Sequence, residues 1–244
     1  MNAGSGFLAK RALATQGIYR FPPFGDLQVK AVERALRMAW DELVKNPLVY
    51  KIDLAAANEV AISEGLVRVV DMIRDAGAIP AFTKHFETPH TDGSLRNFNG
   101  TKLSKRPDMS FKLKVNPVPG IHGMHHRLFV EAKILETGKQ GMSDYCKDGL
   151  SRYIVGDYAW AMPHAMMLAY VRSPAYVLPK SLNMHLSKPT NKLSYEVLTL
   201  QAAMCEYTSS SPRAYETTHG RAGWTFSDGT APTSIKLIHL WLPV

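Results

Sequence analysis

The chain has 244 residues, 45% of them hydrophobic, enough for a sizeable core in one elaborated domain spanning 1–244. A formal net charge of +8 favours polyanionic partners, because a positive field concentrates phosphates at the surface. No apolar run approaches the roughly 18 residues of a membrane span. Two cysteines, Cys146 and Cys205, lack metal-ligand spacing and suit a reduced, intracellular, cytoplasmic protein rather than a disulfide scaffold.

The opening stretch holds Lys10, Arg11 and Arg20 before any acid and lacks the apolar centre of a secretory signal; it reads as a loose basic arm, with a transit-like leader as the alternative. From Asp26 to Lys45 apolar residues recur at helical spacing (Val29, Val32, Leu36, Ala39, Leu43), and Asn46-Pro47 stops the run. A second helix is expected from about Ala55 to Asp75, ending before Gly77. The segment AIPAFTKHFE reads as a strand beginning at or just after Pro80, since proline cannot donate to a central ladder. After a polar loop, RPDMSFKLKV and RLFVEAKIL are two extended runs joined by the turn-rich NPVPGIHG, an antiparallel hairpin.

A helix starting near Ser143 carries Tyr145, Cys146, Leu150, Tyr153 and Ile154. HAMMLAYV, almost wholly apolar, predicts a buried strand. SYEVLTLQAAMCEY reads as a further helix and SIKLIHLWL as a closing strand. This order predicts an α/β (α+β) fold, a mixed central sheet flanked by helices.

Within the hairpin, Pro107-Asp108 opens one strand and Glu131-Ala132-Lys133 lies in the next. Glu131 and Lys133 are two apart, so on a strand both project from one face, and folding the hairpin brings Asp108 beside them. Two carboxylates converging with a lysine suit phosphodiester hydrolysis. Hard oxygens hold Mg²⁺, which needs few protein carboxylates, and lysine orients the attacking water or offsets charge on the phosphorane. Leu128, Phe129, Val130, Ile134 and Leu135 flank the pair, and charges inside an apolar strand are costly unless they serve a site. A surface strand carrying an ion pair is the competing reading.

With these residues in hand, the chain resembles the PD-(D/E)XK nuclease superfamily, the restriction-endonuclease-like fold. That family's hallmark is a proline-aspartate on one core strand and an acid-x-lysine on the next. The resemblance covers about residues 55–172 and implies an αβββαβ core, with a helical extension over 1–54 and a C-terminal extension over 173–244. It implies a metal-dependent endonuclease cutting DNA in preference to RNA. Asp108, Glu131 and the Ala132 carbonyl would be ligands to Mg²⁺, or to Mn²⁺ in its place, with Lys133 assisting the nucleophile. It further implies a homodimer or a subunit of a larger complex, and by analogy a bacterial genome-defence setting such as restriction or phage resistance. The alternative is a catalytically silent nuclease fold kept as a nucleic-acid- or protein-binding module.

Many members carry a further glutamate on the helix before the core strands. Of Glu59 and Glu64, Glu59 shares a face with Ile62, Leu66, Val70 and Ile73, so Glu59 is assigned as a catalytic and metal-supporting residue. A solvated glutamate at a helix start is the competing reading. Tyr145, Lys147, Arg152 and Tyr153 are available on the helix after Lys133, with Arg152 read as solvated; Gln140 and Tyr145 miss the Gln-x-x-x-Tyr spacing of RecB-like members by one residue. His122, His125 and His126 crowd the hairpin loop without a fourth zinc ligand and read as a mobile tip or a nucleic-acid-touching strip. His219, Arg221 and His239 have no evident link to Asp108, and Trp224 with Phe226 reads as packing.

Overall fold

The computed structural model describes residues 21–91, 94–102, 104–115, 124–138, 141–201, 214–226 and 228–244. The basic arm, His122, Gln140 and Cys205 lie outside the described residues.

Helix α1 (Asp26–Lys45) buries Val32, Leu36, Ala39 and Leu43 of the stripe read from its spacing, leaves Val29 partly buried, and adds Trp40. A single turn, α2 (Pro47–Tyr50), begins at the proline that ends it. Helix α3 (Glu59–Asp75) starts a few residues later than expected because Asn58 caps it, its side chain accepting the Ala61 amide at 2.9 Å.

The next expectation fails. The segment after Ile79 is not a strand but a helix, α4 (Pro80–His85). Proline is favoured in a helix's first turn, where its missing N–H has no partner to lose, and Phe82 and Phe86, one turn apart, stack at 5.3 Å. The chain beyond α4 runs antiparallel along β1 (Met109–Lys112) only through isolated bridges, Phe86 to Leu113 and His90 to Ser110.

Strand β2 (Arg127–Leu135) pairs antiparallel with β1 from Met109 opposite Val130, completing the expected hairpin. Helix α5 then runs through Met142–Asp144, a π-helical stretch Tyr145–Leu150, and Ser151–Ile154. It leads to β3 (His164–Val171), every residue of which is buried. Two short helices follow, α6 (Lys180–Leu186) and α7 (Pro189–Ser194). Where a helix was expected from Ser194, Val197–Gln201 forms strand β4. Its β-branched Val197 and Thr199 and its pairing with β5 (Ala214–His219) override the local helical spacing. β6 (Ile235–Pro243) closes the sheet.

The six strands lie in the order β1-β2-β3-β6-β5-β4, with β2, β3 and β6 parallel and the rest antiparallel. Along β3, Met167 and Tyr170 project to opposite faces. Tyr170 stacks on Trp40 of α1 at 5.5 Å and shares a 2.8 Å hydrogen bond with Ser63 of α3, so α1 and α3 cover that face. α5 covers the other, where Gly149 meets Met167. The fold is therefore a mixed sheet between helical layers. Among the described residues, no helix is long and apolar enough to cross a membrane.

Candidate active site

β1 begins pairing only at Met109, so among the described residues the next stretch of β2 has no strand beside it on that edge. Asp108 fills the opening: its Oδ2 accepts the Ala132 amide at 2.6 Å, a bond a neighbouring strand would otherwise make. The carboxylate is thereby fixed at the mouth of a notch between the two strands.

Glu131 and Lys133 face the same side of β2, as their spacing requires. Glu131 is fully buried, and its Oε1 lies 2.9 Å from both Lys133 Nζ and Arg152 Nη1. Neither cation meets that oxygen at a hydrogen-bonding angle, so Oε1 is ion-paired but has no hydrogen-bond partner among the described residues. The Tyr158 hydroxyl donates to the other oxygen, Oε2. Burial pushes the Glu131 carboxyl up to about 7, reinforced by the charge on Asp108 and opposed by Lys133, Arg152 and Tyr158.

Lys133 Nζ sits among three oxygens: Glu59 Oε1 at 2.8 Å, the Ala132 carbonyl at 2.7 Å and Glu131 Oε1. Burial disfavours its charge, but Glu131, Glu59 and Asp108 together outweigh that cost and raise its pKa. The two partners thus shift in the same direction for different reasons: desolvation wins on the acid, and surrounding carboxylates win on the ammonium. Glu59 is also raised by burial, against the pull of Lys133. Glu64, on the other side of α3, is exposed.

The helix behind the site comes unusually close. A Cβ on Gly149 would lie 2.7 Å from Met167 Cε, 3.4 Å from Lys133 Cγ and 3.6 Å from Glu131 Cγ. The π-helical stretch buries Tyr145 and Gly149, and the α-helical turn after it buries Tyr153. Tyr153 donates to the Met166 carbonyl at 3.0 Å, tying the helix to the sheet backbone.

The structure thus brings Asp108, Glu131, Lys133 and Glu59 together and adds two residues. Arg152, expected to be solvated, is paired with Glu131. Tyr158 gave no signal in the sequence, because it reaches Glu131 from an irregular turn. That turn is held by Arg221, whose guanidinium donates to the carbonyls of Thr233, Ala159 and Trp160. Ala159 itself adopts φ 53°, a left-handed conformation a non-glycine residue keeps only when its surroundings hold it.

The donor types suit a hard divalent cation: the carboxylates of Asp108 and Glu131, the latter with one buried oxygen lacking a hydrogen bond among the described residues, and the Ala132 carbonyl, which here accepts from Lys133. Among the described residues no three His, Cys, Asp or Glu side chains gather into a ready-made metal cage. Glu59 is engaged by Lys133 rather than drawn to the other two acids.

The remaining sequence candidates are structural. His126 is buried and stacks on Phe21 at 5.2 Å, and His125 packs on Trp160 at 4.6 Å, so neither forms a mobile tip. Trp224 stacks on Phe98 at 4.5 Å and donates to the Ile154 carbonyl at 2.8 Å. His239 and His219 are wholly buried; Thr217 Oγ1 lies 2.7 Å from an Nε2 of each, and Tyr145 bonds His239 Nδ1 at 2.8 Å.

Comparison of the chain with protein-family models, with curated proteins and with solved structures finds no significant match.

Proposed function

We propose that this chain is a magnesium-dependent nuclease of the PD-(D/E)XK type, acting on DNA. The observation that carries the reading is the convergence of Asp108, Glu131 and Lys133 at the notch where β1 leaves β2. The element order supports it apart from the short α4, which intervenes: α3, α4, a bridged edge segment, β1, β2, α5 and β3, with β2 and β3 parallel. Measured against an αβββαβ core, the first strand is reduced to the bridges at Phe86 and His90.

In this reading Asp108, Glu131 and the Ala132 carbonyl hold the cation. When bound, Mg²⁺ polarises the scissile phosphate and lowers the pKa of a bound water. Lys133, fixed by Glu59, orients the attacking water and offsets charge at phosphorus. Arg152, beside Glu131 and partly exposed, offers a planar fork to a phosphate oxygen. A genome-defence setting rests on analogy of fold alone. Incubation with supercoiled plasmid and Mg²⁺ tests the reading: nicked or linear product is expected, and Asp108→Ala and Lys133→Ala should each abolish it. Activity surviving either change rejects the assignment.

One observation favours a second reading, a silent nuclease fold used for binding. Lys133 and Arg152 already neutralise much of the charge on Glu131 and Glu59, as a purely structural ion cluster would. Calorimetric titration with Mg²⁺ or Mn²⁺ separates the two, since a silent fold takes up no metal that depends on Asp108.

A further inference from the structure

Four cations and no acid lie between Leu95 and Pro107: Arg96, Lys102, Lys105 and Arg106. The loop carrying them ends at Pro107-Asp108, so it runs straight into the notch. It is also joined to the site by side chains. Lys102 and Lys105 bind the buried Asp157 carboxylate at 2.9 and 2.7 Å, and Asp157 precedes Tyr158, whose hydroxyl donates to Glu131. A basic stretch with no role would be expected to remain a loosely solvated loop. This one is built.

Leu95 and Lys105 exchange backbone hydrogen bonds at 2.8 and 3.1 Å, making a tight hairpin. Inside it the buried Asn97 side chain accepts the Lys102 amide at 2.9 Å, and Gly100 turns the tip with φ 73°. The hairpin is bolted down at three further points, two of them on the turn after α5. Phe98 stacks on Trp224, the Phe98 amide donates to the Gly156 carbonyl at 3.1 Å, and Trp160 Nε1 donates to the Arg96 carbonyl at 3.0 Å. The backbone is thus held through Asn97, Phe98 and Asp157, while Arg96 and Arg106 stay exposed and Lys102 keeps 54% of its side chain in solvent.

We infer that this hairpin, described over residues 94–102 and 104–106, is a preformed clamp for the sugar–phosphate backbone of a DNA duplex entering the notch, with Arg96 and Arg106 as its principal phosphate contacts. The inference rests on the nuclease reading for the choice of polyanion. Because the loop is fixed before binding, contact with phosphate orders few additional residues. Each arginine that meets a phosphate releases condensed counterions, so the clamp has a signature in salt dependence that packing does not share.

The test uses the full chain carrying Asp108→Asn, in EDTA, titrated into a fluorescent DNA duplex across a range of salt concentrations. Adding Arg96→Gln and Arg106→Gln should weaken binding at least about tenfold and reduce the slope of log K against log salt by about two. A charge-matched pair at the opposite edge of the sheet, Lys188→Gln and Lys192→Gln, should leave the slope within about half a unit. Equal losses from the two pairs would reduce the effect to overall charge and overturn the clamp, as would absence of duplex binding by the parent. The nuclease reading is judged separately, by plasmid cleavage with the wild-type chain. Cleavage with an unchanged slope removes the clamp alone, and a changed slope without cleavage removes the nuclease alone.

Discussion

Asp108 accepts the backbone amide of Ala132 through one carboxylate oxygen, and this bond holds the acid opposite Glu131 after the β1–β2 ladder has ended. Asparagine can make the same bond through its amide oxygen while losing the charge. Asp108→Asn should therefore melt within about 4 °C of wild type, the shift expected for roughly 1 kcal/mol in a chain of this size. Its cleavage rate should fall at least about 100-fold if the carboxylate holds the cation. Calorimetry and plasmid nicking on one preparation check both halves, and nicking within tenfold of wild type would remove Asp108 from the chemistry.

Glu131 carries the second prediction. Its ordinary value is 4.5, and in the fold it stands at about 7 because burial penalises the anion, with Asp108 adding to the effect. The folded state therefore holds this proton longer than the unfolded state. Its contribution to metal-free stability is full below pH 4.5 and is lost as pH rises through 7. Relative to Glu131→Gln, wild type should lose on the order of 3 kcal/mol between pH 4.5 and 7.5. Urea unfolding of both proteins in EDTA reads that difference, and a flat line contradicts the assigned burial.

The third concerns how closely α5 approaches the acid and the lysine. An alanine Cβ at Gly149 meets the flexible end of Met167 at 2.7 Å, which can move aside. Gly149→Ala should be tolerated within about 1 kcal/mol, the helical gain offsetting the crowding. Gly149→Leu has no such outlet, because Lys133 Cγ and Glu131 Cγ stand behind the methionine at 3.4 and 3.6 Å. It should cost about 1–3 kcal/mol as overpacking and lower cleavage well beyond that destabilisation. Paired melting and activity assays decide, and full activity in the leucine variant would place the helix farther from the site.

Much of this site was legible because its residues break a local rule. Glu131 and Lys133 stand out as charges within an apolar strand, and Glu59 as an acid on the apolar face of its helix. Strand periodicity and turn residues located β2 and β3 to the residue, since buried strands tolerate little ambiguity. The failures share a cause. Pro80 suits the start of an edge strand and the start of a helix equally, and the Phe82–Phe86 stack decides between them. Val197–Gln201 took strand form from its partner β5, which lies beyond a long intervening segment. Tyr158 sits on a turn held by Arg221 more than sixty residues downstream, and no local pattern encodes a contact of that range.

The buried histidines supply the last prediction, through hydrogen-bond direction. At one end of their chain Trp241 Nε1 can only donate, and it lies 3.3 Å from the Tyr145 hydroxyl. At the other, the Tyr195 carbonyl can only accept, 2.7 Å from His219 Nδ1. From that carbonyl, neutral rings fix each link in turn: Thr217 donates to His219 Nε2, His239 Nε2 donates to Thr217, and Tyr145 donates to His239 Nδ1. Both imidazoles are neutral in this arrangement, and an added proton would set two donors facing each other. Burial drives His219 down to about 4 and His239 well below its ordinary 6.5. Such groups stabilise the fold fully above pH 6.5 and withdraw that stability as pH falls toward their folded values, because the unfolded chain takes up the protons first. His239→Gln can still donate to Thr217 and accept from Tyr145, but it does not titrate. Between pH 6 and 4.5 its unfolding free energy should fall less steeply than wild type by about 1.4 kcal/mol per pH unit, the slope of one proton. Because the slope is compared and not the absolute stability, a general loss from the substitution does not mask the result, and identical slopes would mean that His239 is already charged in the fold.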